Sequence, residues 1–232
     1  MRRRPAIPLL VALAPLLGGA ASRIETPSAL SAAGWAKGQW HGIAPARFEP
    51  TPNGGLHILG QAQGSFVWRS VAGTAACLSW RWRVDQGPPP TPLDRRGGDD
   101  RAIAVAVGFD GWPPGVTAWQ RAQHAMAQTI AGDHRLPRSV LIYVWGGTGR
   151  EPAPFPSPYL AGIGQVRVLR PADAPRGEWR EERVDLAADW RAAFGGSAPP
   201  PLLEIVVGTD VDDTRSRVDA RIEAIRFGAC RP

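Results

Sequence analysis

An acidic stretch near the end of the chain carries the clearest metal-binding chemistry. Asp210, Asp212 and Asp213 follow an apolar run typical of a strand, and Gly208 precedes them. Carboxylates at alternate positions can converge on a hard cation, so the pattern predicts Ca²⁺ as cofactor, with Asp100 as a further ligand where the loops meet. The spacing is not that of an EF-hand loop. The alternative is turn chemistry, in which aspartates bond nearby backbone amides and pair with arginines.

A second candidate site is the polar face of one predicted strand. Arg81, Arg83 and Asp85 alternate with apolar residues, so their side chains share a face. Arginine binds carboxylates bidentately, and aromatic rings stack on sugar rings. Together with the aromatic residues Trp145 and Tyr159, this face would suit a polar sugar or an anionic glycan. The alternative is a ladder of cross-strand Arg–Asp pairs on a solvated face.

The sequence carries none of the short motifs that mark common enzyme classes. It has four histidines, which are His41, His57, His124 and His134. No two of them have metal-ligand spacing, and there is no nucleophile elbow, phosphate-binding loop or His-Glu-x-x-His motif. A carboxylate pair for glycoside hydrolysis is defined by separation in space, so that chemistry stays open. Three glutamates are candidates that nothing distinguishes from ordinary strand charges: Glu181, Glu182 and Glu204.

The pattern of apolar residues predicts the strands that would position these groups. The anchor is residues 78–85, where Leu78, Trp80, Trp82 and Val84 occupy every second position. Similar runs predict strands at 47–49, 56–62, 65–71, 102–109, 140–145, 165–169, 179–186, 202–209 and 221–227. Short strands separated by turns, in a chain with 27 Gly and 24 Pro, favour an all-β, mainly antiparallel β-sandwich or jelly roll of the galactose-binding-like or carbohydrate-binding kind.

Two predicted elements bear on where a ligand could lie. The strand at 102–109 carries large apolar residues on one face and only Ala and Gly on the other. That small face packs against another layer or leaves room for a ligand. The one modest helix, at 117–131, has Thr117 as a cap, and Trp119 and Met126 at helical spacing predict that it covers the core. A short helix is also predicted at 187–194.

The N-terminus predicts export. Arg2–Arg4 precede a short apolar run, and the small residues Gly18–Ala21 supply a cleavage site, so residues 1–21 are predicted to be a signal peptide. The alternative is an uncleaved membrane anchor. Residues 22–232 are then expected to form a single domain in the periplasm or outside the cell, with no transmembrane segment after cleavage. The formal charge of +6 includes the three leader arginines, and no basic run follows, so we expect no nucleic-acid partner.

The chain has two cysteines, Cys77 and Cys230. Export would place them in an oxidising compartment. A disulfide between them would close nearly the whole domain and contribute about 4–5 kcal/mol in the chain-entropy model. The alternative is a pair of buried free thiols. Two cysteines carry no spacing signature, so the sequence does not decide between a disulfide and free thiols.

Five stretches, in order, resemble a bacterial family known as domain of unknown function 3047. They are residues 78–85 (LSWRWRVD), 98–100 (GDD), 141–146 (LIYVWG), 179–185 and 208–214 (GTDVDDT). One departure is Asp213, where the family pattern has Asn. The resemblance implies an exported, jelly-roll-like domain and carries no established activity.

Together these features favour a non-catalytic, exported β-sandwich that binds a glycan or another cell-envelope ligand. One alternative is a glycan-active enzyme, a lyase or hydrolase, on the same scaffold. A cleft in which Arg, Tyr or His converges with a carboxylate would favour it. Another alternative is a structural envelope protein with a protein partner, for which a large flat apolar patch would be the sign.

Overall fold

The computed structural model describes residues 28–74, 76–160, 162–196 and 198–230. The predicted signal peptide lies outside the described residues, so its cleavage remains a prediction. Within the described residues there are two sheets and three helices. The helices are α1 (Ala29–Ala32), α2 (Ala118–Ala131) and α3 (Leu186–Phe194).

The larger sheet has seven strands within the described part of the chain. Their spatial order is β1 (Ala36–Gln39), β4 (Gly64–Ser70), β11 (Leu202–Asp210), β6 (Arg101–Phe109), β7 (Ser139–Gly146), β9 (Gly164–Arg170) and β8 (Phe155–Pro156). The smaller sheet has the order β10 (Arg180–Asp185), β5 (Cys77–Gln86), β12 (Arg217–Gly228), β3 (Leu56–Gln61) and β2 (Arg47–Pro50). Neighbouring strands pair antiparallel, with the exception of β7 and β9.

The core lies between the sheets and is rich in aromatic residues. Trp80 and Trp82 project inward from β5 and are almost completely buried. Their ring centroids lie 5.7 Å from Tyr143 and 5.8 Å from Trp145 on β7. Burying aromatic residues of this size removes a large apolar area from water and dominates core stability. The prediction of a mainly antiparallel β-sandwich anchored on residues 78–85 is confirmed.

Three short elements were not predicted: α1, β1 and β8. The sequence of β1, Ala-Lys-Gly-Gln, has no apolar alternation. It forms because its backbone pairs with the edge of β4, where Gly38 lies opposite Phe66. A Cβ at position 38 would clash with the Phe66 ring. This pairing places Trp40, the residue after β1, against Phe66 with a centroid distance of 4.4 Å.

Helix α2 forms as predicted but does not cover the core. Its N-terminus is a capping box, in which the Thr117 hydroxyl accepts from the Gln120 amide and the Gln120 side chain accepts from Thr117. No residue of the helix is buried. Trp119 and Met126, which were predicted to cover the core, are each 69% exposed. The prediction was wrong because apolar periodicity defines a stripe and not what the stripe faces.

Cys77 at the start of β5 and Cys230 form a disulfide across 153 residues of sequence. It ties the end of β12 to its neighbour in the smaller sheet. None of the described helices is long and apolar enough to cross a bilayer.

Candidate functional site

The arginine face predicted from residues 78–85 is an internally paired ladder. Arg83 donates to Asp85 through Nε at 2.8 Å, and Arg221 of β12 binds the other Asp85 oxygen. Arg81 donates to Glu223 Oε1 of β12 through Nε and is also ion-paired with it through Nη2. Burial alone would raise the pKa of Asp85, but the hydrogen bonds and charges of the two arginines outweigh it and lower that pKa. The face therefore matches the alternative of cross-strand pairs.

The two aromatic residues assigned to this face lie elsewhere. Trp145 is 1% exposed and packs between the sheets against Trp82, because residues 141, 143 and 145 form the inward face of β7. Tyr159 lies on the opposite side of the sandwich and lines a cleft there. The structure thus does not bring Arg81, Arg83 and Asp85 together with Trp145 or Tyr159.

That cleft, on the outward face of the seven-stranded sheet, is the best candidate site. It has a volume of about 540 Å³. Its floor consists of small and aliphatic residues from three neighbouring strands: Ala104, Ala106, Ile142, Val144, Val206 and Gly208. The small face predicted for residues 102–109 therefore lies under open space. Aromatic side chains, Trp40 and Phe66 on one wall and Tyr159 on the other, rise beside this floor.

One end of the cleft is acidic. Asp99, Asp210, Asp212 and Asp213 line it, and Arg101 is the single guanidinium among the described lining residues. The Arg101 Nη1 atom lies 2.9 Å from Asp99 Oδ2 and 3.7 Å from Asp210 Oδ2. One guanidinium does not neutralise several carboxylates, so this end favours neutral or cationic groups on a ligand.

The Asp210 carboxyl has a strongly raised pKa. Burial raises its pKa to about 8, assisted by a hydrogen bond with Asp212 and the charge of Asp99, while the charge of Arg101 opposes the shift. Burial, together with the charges of Asp212 and Asp100, also raises the pKa of Asp213. Like charges that converge in a cleft cannot all ionise at low cost, so one carboxyl retains its proton.

Two polar atoms in the cleft wall have no hydrogen-bond partner among the described residues. They are the Nε1 donor of Trp40 and the Oδ1 acceptor of Asp210, and both are buried. Both side chains lie beside Gly64, where a Cβ would clash with Asp210 Oδ1 and come within 3.2 Å of the Trp40 ring. Buried polar atoms are normally satisfied, so the wall beside Gly64 holds a donor and an acceptor that lack a partner.

The predicted metal ligands converge only in part. Carboxylate oxygens of Asp100, Asp210 and Asp212 lie within 4.8 Å of one another, and Asp213 is not in this group. Asp100 is 1% exposed and accepts from the Thr214 amide at 2.8 Å and from the Thr214 hydroxyl. Asp100 therefore caps the 212–215 turn across more than 100 residues of sequence, a long-range contact that local turn chemistry does not describe. Ca²⁺ binding at Asp210 and Asp212 remains a prediction.

The Tyr159 hydroxyl links two loops at one wall of the cleft. It donates to Asp99 Oδ1 at 2.9 Å and accepts from the Gly97 amide at 3.1 Å. Burial, and then the hydrogen bond to Asp99, raise the pKa of Tyr159. The contact joins the proline-rich loop before β6 to the loop after β8 and keeps Tyr159 at the cleft.

The other end of the cleft holds a buried Glu204–His134 pair. The Glu204 side chain is 4% exposed, and His134 Nε2 lies 2.6 Å from its Oε2. The His134 ring stacks on Trp68 with a centroid distance of 3.9 Å. Glu204 was a candidate only as an undistinguished strand glutamate, and His134, 70 residues earlier in the chain, was not a candidate at all.

Replacing His134 by alanine is expected to lower the free energy of unfolding by about 3 kcal/mol, because Glu204 would be left buried without its partner. Chemical denaturation of the variant measures the loss. His41→Ala, an exposed histidine at the same cleft, is the control and should change stability little. Equal stability of the two variants would show that Glu204 is satisfied in another way.

A comparison with known protein families identifies the family of this chain. A family model described as "Protein of unknown function (DUF3047)" matches residues 34–226. The chain belongs to the DUF3047 family. A search of curated proteins finds no match.

Among solved structures, this DUF3047 chain is similar to the xyloglucanase domain of NopAA, a type three effector from Sinorhizobium fredii in complex with cellobiose. The similarity covers 83% of this chain and 91% of that one, with 8% sequence identity and a TM-score of 0.44. At that distance the likeness carries no argument about function.

Proposed function

We propose that the cleft on the seven-stranded sheet binds a glycan. The observation that carries the proposal is that two buried polar atoms, Trp40 Nε1 and Asp210 Oδ1, have no hydrogen-bond partner among the described residues and lie beside an apolar floor. A sugar hydroxyl both donates and accepts, so it has the hydrogen-bonding chemistry that each of the two atoms lacks. The C–H faces of the sugar rings would lie on the aliphatic floor and against the aromatic walls, as in mostly apolar pockets with few polar groups.

The length and charge of the cleft narrow the class of glycan. Asp210 lies six positions after Glu204 along β11, which is about 20 Å at about 3.3 Å per residue. This is room for an oligosaccharide. The excess of carboxylates at the Asp210 end opposes uronic acids and favours neutral or amino sugars. The ligand class thus differs from the anionic glycan that the arginine face suggested.

A glycan array probed with the full chain tests the proposal, once with Ca²⁺ and once with chelator. We expect binding to neutral or amino-sugar oligosaccharides and weak or no binding to uronates. Trp40→Phe, which keeps an aromatic ring but removes the N–H donor, should weaken binding about five- to tenfold. Trp119→Phe, the same change at an exposed tryptophan of α2 that does not line the cleft, is the matched control. Absence of binding in both conditions would reject the proposal.

The two array conditions also test the predicted cation. Binding that disappears with chelator would support Ca²⁺ at Asp210 and Asp212. Binding that does not change with chelator would reject the predicted cation site and would still support glycan binding.

A second candidate is a glycan-active enzyme, and one observation favours it. Arg101 and Tyr159 converge with several carboxylates in a single cleft, and Asp210, whose pKa is raised to about 8, lies next to Asp212. Glycoside hydrolysis uses one protonated carboxyl, which gives its proton to the leaving oxygen, and one ionised carboxylate. Hydrolysis fits better than elimination from uronates, which the acidic end opposes. Release of reducing ends from an array hit, abolished by Asp212→Asn, would establish it.

The compartment is part of the proposal. We infer that the protein acts in the periplasm or outside the cell, supported by the leader pattern in residues 1–21 and by the Cys77–Cys230 disulfide. Disulfides persist in oxidising compartments. Fractionation of cells that express the full chain, with N-terminal sequencing of the product, tests both the location and the cleavage.

A further inference from the structure

The acidic end of the cleft holds more carboxylates than the fold neutralises. The Arg101 guanidinium is shared between Asp99 and Asp210, at distances of 2.9 and 3.7 Å. Asp212 and Asp213 also line this end, and neither has an ion-pair partner within the part of the chain that the structure describes. These two carboxylates lack a positively charged donor.

The nearest other arginines do not supply the missing charge. The Arg96 guanidinium lies over the Tyr159 ring, 5.4 Å from its centroid, and donates to the Pro158 carbonyl at 2.9 Å. Arg215, in the turn that follows Asp212, is exposed. Neither arginine is among the described residues that line the cleft. The excess of negative charge is therefore a property of the surface that a ligand in the cleft would meet.

Asp210 extends this imbalance into the wall of the cleft. Its side chain is 9% exposed, and its Oδ1 atom has no hydrogen-bond partner among the described residues. Buried polar atoms are normally satisfied, so the fold leaves an acceptor here without a donor. Carboxylate oxygens of Asp210 and Asp212 lie within 4.8 Å of each other. A positively charged donor held at Asp212 would therefore also lie close to the Asp210 carboxyl.

A primary ammonium suits this arrangement better than a metal ion. Ca²⁺ takes about six to eight oxygen ligands. The third carboxylate of the cluster, Asp100, is 1% exposed and already accepts from the amides of residues 213 and 214. The Arg101 guanidinium, 3.7 Å from Asp210, opposes a dication. An ammonium needs no full shell of ligands, because it has three donors, and its bonds to carboxylates are charge-assisted.

The floor beside the acidic end favours a sugar as the carrier of the ammonium. Ala104, Val206 and Gly208 form part of a floor of small and aliphatic residues on adjacent strands. The C–H face of a pyranose ring can lie on such a surface. A rigid ring also loses less conformational freedom on binding than the flexible alkyl chain of a lysine or a polyamine.

We propose that the cleft selects glycans that contain amino sugars with a free amine, and that Asp212 and Asp213 bind the ammonium group of one such unit. This selectivity rests on the proposed glycan binding. It narrows the ligand class from neutral or amino sugars to amino sugars without an acetyl group on the nitrogen.

Calorimetric titration of the full chain with two hexasaccharides tests this selectivity. One consists of glucosamine and the other of N-acetylglucosamine, so they differ only in the acetyl groups. The titrations use chelator and about pH 6, at which the amines are protonated and carboxyls of ordinary pKa are ionised. We expect the glucosamine chain to bind at least about tenfold more tightly. Most of this preference should disappear at high salt, which screens exposed charges.

The double variant Asp212→Asn, Asp213→Asn should remove the preference between the two hexasaccharides. The control, Asp173→Asn, Glu181→Gln, removes two exposed carboxylates that do not line the cleft and should keep the preference of the parent. Thermal unfolding of both variants verifies that the fold is retained. Hexalysine, which carries positive charge without sugar rings, should bind the parent more weakly than the glucosamine chain.

Equal affinity for the two hexasaccharides, or tighter binding of the acetylated one, would overturn the selectivity and leave glycan binding in place. A preference that the double variant retains would also overturn it. Tighter binding of hexalysine than of the glucosamine chain would overturn it and assign the acidic end to a cationic peptide. If neither hexasaccharide binds, the selectivity is overturned, whereas the proposed function fails only if the glycan array also shows no binding.

Discussion

Gly208→Trp is expected to weaken glycan binding at least about 100-fold while leaving the protein folded. Gly208 lies in the middle of the cleft floor on β11, opposite Ala104 of β6. A Cβ at this position would meet Phe66 Cβ at 3.4 Å and the Ser65 carbonyl oxygen at 3.5 Å, which are ordinary contacts. The backbone therefore accepts a side chain there. An indole would occupy the space in which a sugar ring must lie.

Gly228→Trp is the matched control for this experiment. Gly228 ends β12 in the other sheet, and a Cβ there meets nothing within 4 Å. We expect its affinity for the array hit, measured by titration calorimetry, to equal that of the parent, and both variants to unfold within a few degrees of the parent. Unchanged affinity in Gly208→Trp would place the ligand outside the cleft.

Asp210→Asn is expected to stabilise the protein at alkaline pH, with a gain that approaches about 5 kcal/mol above pH 8. The pKa of Asp210 is raised from 3.8 to about 8, chiefly by burial, so the folded state holds a proton that the unfolded state releases. The contribution of the Asp210 carboxyl to the free energy of unfolding is complete below pH 3.8 and is lost as the pH rises towards 8. Asparagine is neutral at every pH in this range, so the stability of Asp210→Asn does not depend on pH through this position.

Denaturation of the parent and of Asp210→Asn between pH 4 and pH 9, in chelator to exclude bound cations, measures this difference. The two stability curves should diverge as the pH rises. Asp94→Asn, in which an exposed carboxyl is removed, is the control and should follow the parent. Curves that remain parallel over the whole range would show that Asp210 is ionised in the folded protein.

The sandwich could be predicted because its strands alternate strongly. The two inward tryptophans of β5, Trp80 and Trp82, identify a half-buried strand without any knowledge of its partners. The small face of residues 102–109 similarly predicts either close packing or space, and the structure shows the floor of a cleft. These are local properties, which depend on neighbours two residues apart in sequence.

The site could not be predicted, because it depends on contacts between distant segments. Trp40 reaches the cleft through β1, whose polar sequence gives no strand signal, and His134 meets Glu204 across 70 residues. The arginines of β5 offered a stronger local pattern, but Arg81 is paired with Glu223 of β12 and Arg83 with Asp85 of its own strand. The pattern does not reveal the pairing with β12. The acidic stretch was found from sequence, whereas the capping role of Asp100 required the fold.

A backbone amide NMR titration of the full chain with an oligosaccharide selected on the array tests directly whether the ligand binds in the cleft. We expect shift changes concentrated at five residues, with saturation at a single site: Trp40, Ala104, Ala106, Val206 and Gly208. Shift changes centred on residues 79–85 of the smaller sheet would contradict it and return the site to the arginine face. A titration in which no cleft residue responds would contradict it as well.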